Sequence, residues 1–115
     1  MPNYTDRELD QLFSALADPT RRKVVEALVI SQPLSVSDLH ASHQMALPSF
    51  TQHLKVLADA GLISTQKRGR VRMVTIEAEQ LSRVQQWLEH QRKAWEARFD
   101  RLEALLENNQ NQGES

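Results

Sequence analysis

Four polar residues in one short stretch, read together, could make hydrogen bonds to nucleic-acid bases. Ser49, Thr51, Gln52 and His53 can donate and accept hydrogen bonds without carrying a fixed charge at neutral pH. Groups of this kind read the edges of bases in the major groove of DNA. No carboxylate occurs in this stretch before Asp59, so nothing within it repels phosphate. We take these four residues as candidate base-reading residues, although His53 could instead hydrogen-bond within the protein.

A second group of residues is cationic and could contact the DNA backbone. Residues 63–76 contain four cations and no acidic residue. Contacts between cations and phosphate are salt-dependent and carry no sequence information. The alternative is a solvated strand edge on which charge prevents aggregation. The candidate backbone-contacting or wing residues are Lys55, Lys67, Arg68, Arg70 and Arg72.

Catalytic and metal-binding chemistry find little support in the residue types present. The chain has no cysteine, which removes thiolate nucleophiles, disulfides and cysteine-based zinc sites. His40 and His43 have the spacing of two ligands on one helix face, but a zinc site would need a third ligand from elsewhere. Ser49 and His53 lie four residues apart, yet nothing beside them orients the imidazole. We expect no enzymatic activity, no metal and no cofactor.

Composition bounds the class of protein. The chain has 115 residues, of which 40% are hydrophobic and 25% charged, as in a soluble single domain. The net charge is −1, so a nucleic-acid site would require local segregation of charge. No segment approaches the roughly 18 apolar residues of a membrane span. The acidic, polar start is unlike a signal peptide, and we expect a cytoplasmic protein.

The elements that would position these residues follow from apolar spacing and from capping residues. A first helix is predicted around Leu9 to Leu16, and a second begins after Asp18, which can cap it. Three cations, Arg21 to Lys23, crowd the first turn of this second helix, which is electrostatically unfavourable. They indicate either a solvated face or a neighbouring phosphate.

A short third helix and a fourth helix over about 47–60 form a helix-turn-helix pattern. Ser35 begins the third helix in a sequence that resembles a capping box. Gly61 ends the fourth helix, as a residue that tolerates the left-handed conformation. The predicted apolar face of the fourth helix consists of Leu47, Phe50, Leu54, Leu57 and Ala58.

The C-terminal half predicts a β-hairpin wing over 63–76 and a long helix over about 78–106. The hairpin turns at Gly69. Apolar residues recur at intervals of seven along the long helix, which is the pattern of a packing seam between helices. The predicted fold is mainly α with a small β-hairpin, a winged helix-turn-helix over 1–107 followed by a disordered tail over 108–115. The candidate dimer-interface residues on this helix are Leu81, Leu88, Trp95, Phe99 and Leu102. The alternative is a long helix that folds back on its own domain.

Three segments resemble one known family. LFSALADPTRRKVVEAL, SVSDLHASHQMALPSFTQHLKVLADAGLI and the glycine-centred wing resemble the ArsR/SmtB family of winged-helix repressors. WLEHQRKAWEARFDRLEALL resembles the branch of that family without the known metal ligands. The resemblance implies a homodimer, built from the first and last helices, that binds a palindromic operator and represses transcription. Leu9 and Leu12 of the first helix are therefore further candidate dimer-interface residues. It also implies a recognition helix that carries the four candidate base-reading residues, and a wing around Gly69.

The chain departs from this family in the residues that would sense a signal. Where arsenic-sensing members have Cys-Val-Cys, this sequence has Ser35, Val36 and Ser37, and serine is a poor ligand for soft metals. The last helix offers only His90, with Lys93 where a further ligand would be expected. The alternatives are a zinc sensor that uses histidines and a winged-helix module for protein contacts. An inducer could be a small organic molecule or a partner protein, or there could be none, and the sequence does not encode the operator legibly.

Overall fold

The structure is a computed structural model that describes the backbone of residues 6–113 and the side chains of residues 6–109. It is mainly helical with one small sheet, as predicted. In chain order the elements are α1 (Asp6–Leu16), α2 (Pro19–Ile30), β1 (Leu34–Ser35), α3 (Val36–Ala41), α4 (Leu47–Asp59), β2 (Ile63–Arg68), β3 (Val71–Ile76) and α5 (Ala78–Gly113). Within the described residues, no helix is both long enough and apolar enough to cross a membrane.

Local signals set the ends of several helices. The Asp18 carboxylate accepts a hydrogen bond of 3.0 Å from the backbone N–H of Arg21, and Pro19 occupies the first turn of α2. The Ser35 hydroxyl accepts a hydrogen bond of 3.0 Å from the backbone N–H of Asp38, which caps α3. Gly61 follows α4 with φ of 76°, a conformation that glycine adopts without steric cost. These three predicted caps are confirmed.

The sheet is larger than the predicted hairpin by one short strand. The strand order is β1-β3-β2, and both pairings are antiparallel. The hairpin has the predicted bounds, and Gly69 turns it with φ of 64°. β1 is only two residues long and pairs Leu34 with Val74. A strand of this length has no periodicity, which is why the sequence did not predict it.

The core packs the first four helices against the sheet. Its fully buried large side chains are Leu12, Val24, Leu28, Phe50, Leu57, Leu62 and Val74. Leu12 was a candidate dimer-interface residue, but none of its surface is exposed. It points from α1 into the core of its own chain and has no area to offer a partner, so that assignment is corrected.

The apolar face of α4 is narrower than predicted. Phe50, Leu54 and Leu57 are buried, as expected. Leu47 is 49% exposed and Ala58 is also exposed. Both residues lie at the margin of the helix face, where the neighbouring strands do not cover them.

The long helix extends beyond its predicted end, and the compact units divide within it. α5 continues to Gly113, so residues 108–113 are helical rather than part of a disordered tail. Residues 78–112 contain no glycine or proline that would stop the helix earlier. Two compact units meet between Val84 and Gln85 of this helix. Leu81 and Val84, at the start of α5, pack against the core.

Candidate nucleic-acid interface

The outward face of α4 is polar and uncharged in its first half. Ser49, Thr51 and Gln52 are exposed because the inward positions of the helix are held by the core. The Thr51 hydroxyl donates a hydrogen bond of 2.8 Å to the Leu47 carbonyl of its own helix. The side chains of Ser49 and Gln52 make no hydrogen bond to any other residue in the described part of the chain. Both are therefore available to an external partner.

The N-terminus of α4 also lacks a side-chain cap. Ala46 stands at the N-cap position and makes no side-chain hydrogen bond. The first turn contains no acidic residue. Uncapped N–H groups and the positive end of the helix dipole favour an anion at this end of α4.

His53, a candidate base-reading residue, links α4 to the start of α2. Its Nδ1 atom lies 3.1 Å from Nη1 of Arg21 and 3.7 Å from the Asp18 carboxylate, and its side chain is 24% exposed. The hydrogen bond from the Arg21 backbone N–H is the main cause that holds the pKa of Asp18 below its usual value, and the charge of the Arg21 guanidinium acts in the same direction. This geometry agrees with the interpretation of His53 as a hydrogen-bonding residue within the protein.

The hydrogen bonds of Arg21 and Arg22 explain why these two cations occur at the start of α2. Arg21 donates from Nε to the Ala15 carbonyl at 2.7 Å and from Nη2 to the Ser14 carbonyl at 3.2 Å. Arg22 donates from Nη1 to the Leu16 carbonyl at 2.9 Å. These three carbonyls belong to the last turn of α1, where a helix leaves its C=O groups unpaired and its dipole is negative. The two arginines are unfavourably placed for their own helix but satisfy the end of the preceding one.

The wing carries cations that the protein itself leaves largely uncompensated. Lys67 and Arg72 are directly opposite each other on β2 and β3. Like charges in such a pair destabilise a hairpin, so their placement favours an external anion. Arg72 donates to the Thr65 hydroxyl at 3.2 Å, whereas the exposed side chains of Lys67, Arg68 and Arg70 have no partner within residues 6–109. All four predicted wing cations thus lie on the hairpin.

Lys55 differs from the wing cations because it already has a carboxylate partner. Its Nζ atom lies 3.1 Å from Oδ2 of Asp59, one helical turn later on α4. Both side chains are exposed, and an exposed pair of this type contributes only about 0.3–0.5 kcal/mol. The pair can therefore open when a stronger anion approaches.

Comparisons with known proteins identify the architecture. A family model described as a helix-turn-helix domain matches residues 16–66. A crystal structure described as an ArsR-family transcriptional regulator is 46% identical, with a TM-score of 0.76, over 84% of this chain and 97% of that chain. The chain belongs to the ArsR family of transcriptional regulators. It is therefore a DNA-binding regulator and not an enzyme.

Two further proteins are similar to this ArsR-family chain. The arsenical resistance operon repressor of Staphylococcus xylosus is 30% identical over 72% of this chain and 79% of that protein. A winged helix-turn-helix DNA-binding domain from Mycobacterium bovis, described as homodimeric and as a possible ArsR-family regulator, has the same fold. Its TM-score is 0.60 at 20% identity, over 77% of this chain and 87% of that domain.

Two histidines of this ArsR-family protein, His40 and His43, pack against α4. The His40 and His43 rings lie 5.4 and 5.1 Å from the ring of Phe50. His40 Nε2 lies 2.7 Å from the Met45 carbonyl, so that nitrogen is already engaged. Desolvation lowers the pKa of His43, and the nearby charge of Lys23 adds to the effect. Among the described residues, no three potential ligands lie close enough to hold a metal ion.

Apart from the buried Leu12, the predicted interface residues fall into two classes of exposure. Leu9 and Leu81 are half-buried, and Leu81 packs against the core. In the second unit, α5 exposes at least half of each of six large apolar side chains. Four of these six are predicted interface residues, and these four share one face of the helix by spacing. They are Leu88, Trp95, Phe99 and Leu102.

Proposed function

We propose that this ArsR-family protein is a homodimeric repressor that binds a palindromic operator. The observation that carries the proposal is the position of an uncharged polar face on α4 close in sequence to a hairpin whose cations lie side by side. An uncharged polar helix face suits base edges, and clustered cations suit phosphate. The name of the S. xylosus relative supports repression as the outcome of binding.

Base reading is assigned to the free polar side chains of α4. Gln52 and Ser49 have no internal partner, so their hydrogen-bonding groups are available to bases. Thr51 contributes beside them, whereas His53 orients α4 through Arg21 and does not need to touch a base. Lys55 and the four wing cations contact the sugar–phosphate backbone and fix the position of the helix in the major groove.

Dimerisation is assigned to the exposed apolar face of α5. Leu88, Trp95, Phe99 and Leu102 are 50–65% exposed in the single chain, and a helix of 36 residues is about 54 Å long. A second copy of the same helix would cover this stripe, as large apolar patches on soluble proteins indicate an interface. The homodimeric M. bovis domain supports this choice of partner. As a DNA-binding regulator, the protein is assigned to the cytoplasm.

Selection of genomic fragments by the purified protein tests the operator. We expect an inverted repeat whose half-sites lie about one helical turn, or 34 Å, apart. Gln52→Ala should relax the base preference at one position of each half-site. Arg70→Ala should weaken binding to all sequences and lower the salt slope by about one. Recovery of fragments that share no motif, with binding that depends only on salt, would refute the operator.

Sedimentation tests the dimer. Trp95→Ala should shift the protein toward monomer at micromolar concentration, because Trp95 is the most exposed of the four stripe residues. Lys93→Ala changes an exposed residue of the same helix outside the stripe and should leave the dimer intact. Equal dimer populations in both variants would place the interface elsewhere.

A further inference from the structure

A groove of about 470 Å³ lies between α4 and the wing. Its volume is within the range of about 300–1,000 Å³ that is typical of small-molecule sites. The groove lies entirely within the first compact unit. Its lining comes from α4, the start of α3 and both strands of the wing.

The floor of the groove is apolar. It includes Val36, Leu47, Leu54 and Ala58. Leu47 and Ala58 are the two α4 residues that the sequence placed on the apolar face of the helix and that the structure leaves exposed. An apolar floor has no role in holding a phosphate. It suits the hydrocarbon part of an organic molecule, which gains about 25 cal/mol for each Å² of apolar surface removed from water.

The polar part of the lining is cationic and hydroxylic. Lys55 and Arg72 contribute positive charge, and Thr51 and Thr65 contribute hydroxyl groups. No acidic residue lines the groove. The charge of Lys55 is shared with Asp59 at 3.1 Å, whereas Arg72 contacts only the neutral Thr65 hydroxyl within the described chain. Arg72 is therefore the cation that most readily accepts an anion, and its planar guanidinium matches a carboxylate or sulfonate.

We propose that this groove binds a small organic anion with an apolar body, and that its occupation releases the protein from its operator. The second clause rests on the proposed function, because Lys55 and Arg72 are also assigned to the DNA backbone. A ligand anion that occupies these two cations removes them from phosphate, and the ligand body fills the groove between α4 and the wing strands. Binding of the anion therefore weakens binding of DNA, and by linkage DNA weakens binding of the anion by the same factor.

The proposal is tested on the full chain with 8-anilinonaphthalene-1-sulfonate, a probe that combines a sulfonate with an apolar ring system. Carbon-13 methyl spectra report where the probe binds. We expect the methyl resonances of Val36, Leu47 and Leu54 to shift with the probe. Shifts confined to the leucines of α5, or no shift at millimolar probe, would overturn the groove as a site.

Charge variants test the anion contact. Arg72→Gln should weaken probe binding about tenfold, which corresponds to about 1.4 kcal/mol. Lys55→Gln should weaken it less, by about threefold, because Asp59 already shares that charge. Arg70→Gln removes an equal charge from the hairpin outside the groove and is the matched control, with an affinity within twofold of the parent. Equal probe affinity in the Arg72 and Arg70 variants would overturn the assignment.

Ala58→Phe provides a variant that keeps every charge. The ring would occupy the apolar floor, so the probe should lose at least tenfold in affinity while both cations remain. Circular dichroism confirms that the variant is folded. If the folded variant bound the probe as tightly as the parent, the apolar floor would be excluded as the binding site of the probe.

Competition with DNA separates the two proposals. Saturating probe should raise the Kd of the parent protein for its selected operator by at least tenfold, and should do so less in Arg72→Gln. A protein that binds the probe in the groove but selects no operator refutes the proposed function and not the site. A protein that binds its operator equally well with and without a bound probe refutes the release step alone.

Discussion

Replacement of Arg21 by alanine should destabilise the protein far more than replacement of Arg22, although the two residues are adjacent cations in the same turn. The Arg21 guanidinium donates to the Ala15 carbonyl at 2.7 Å, the Ser14 carbonyl at 3.2 Å and His53 Nδ1 at 3.1 Å. Arg22 makes one exposed hydrogen bond. The contrast therefore isolates the network that joins α1, α2 and α4.

The magnitude follows from which bonds are shielded from water. The Ala15 and His53 contacts are partly buried, and the Ser14 contact is exposed. A partly buried hydrogen bond to a charged donor contributes about 1.5 kcal/mol or somewhat more, and an exposed one contributes less. We expect Arg21→Ala to lower the free energy of unfolding by about 2–4 kcal/mol. Arg22→Ala should lower it by about 0.5 kcal/mol.

Arg21→Lys separates the geometry of the guanidinium from its charge. If Arg21 acted only as a cation beside the negative end of α1, it would contribute about 0.3–1 kcal/mol and lysine would restore it. A single ammonium cannot reach the two carbonyls and the imidazole in the geometry of the guanidinium. We therefore expect Arg21→Lys to recover less than half of the loss.

Urea unfolding, followed by circular dichroism at one fixed protein concentration, measures these differences. The fixed concentration matters because the stability of a dimer depends on concentration. Ordinary surface substitutions change the free energy of unfolding by up to about 0.5 kcal/mol. If the losses of unfolding free energy in Arg21→Ala and Arg22→Ala differed by no more than this margin, the network would be refuted. If Arg21→Lys had the stability of the parent, Arg21 would act only through its charge at the negative end of the α1 dipole.

Two further predictions concern pH and the two glycines with positive φ. Because the pKa of folded His43 lies below its ordinary value, the unfolded chain binds more protons and stability falls as pH drops below about 6.5. His43→Gln should lose less stability than the parent between pH 7.5 and pH 5, measured by urea unfolding, and parallel curves would contradict this cause. Gly61→Ala should cost about 1 kcal/mol more than Gly69→Ala in thermal unfolding. Both sites have positive φ, but a Cβ at Gly61 would lie 2.9 Å from Nε2 of Gln80, which donates to the Ala60 carbonyl, whereas Gly69 is open. Equal costs would show that Gln80 moves aside freely.

Much of the fold could be predicted because its signals are local. The caps at Asp18 and Ser35 act on N–H groups three residues away, and the helical spacing of apolar residues repeats within two turns. The wing follows from β-branched strands around Gly69. The candidate nucleic-acid interface on α4 and the hairpin was also predicted, from the order of these elements and from the charge pattern of residues 63–76.

The exposure of apolar residues could not be predicted to the same degree. The family resemblance placed Leu12 at an interface and helical spacing placed Leu47 on the apolar face of α4, whereas the structure buries Leu12 and leaves Leu47 about half exposed. A helix pattern identifies an apolar face but not what covers each part of that face. Coverage depends on where the other helices and the sheet lie, and that is a property of packing.

By itself, the sequence determined the elements of this ArsR-family protein and the chemical types that its interface presents. Only the tertiary structure decided which of these groups remain free to bind. It joins Arg21 to His53 across 32 positions of sequence, sets Lys67 opposite Arg72, and brings Val36 and Thr65 to one groove. The physical reason is that side-chain types and turns are encoded locally. The pairing of distant side chains instead follows from strand register and helix packing, which no short stretch of chain specifies.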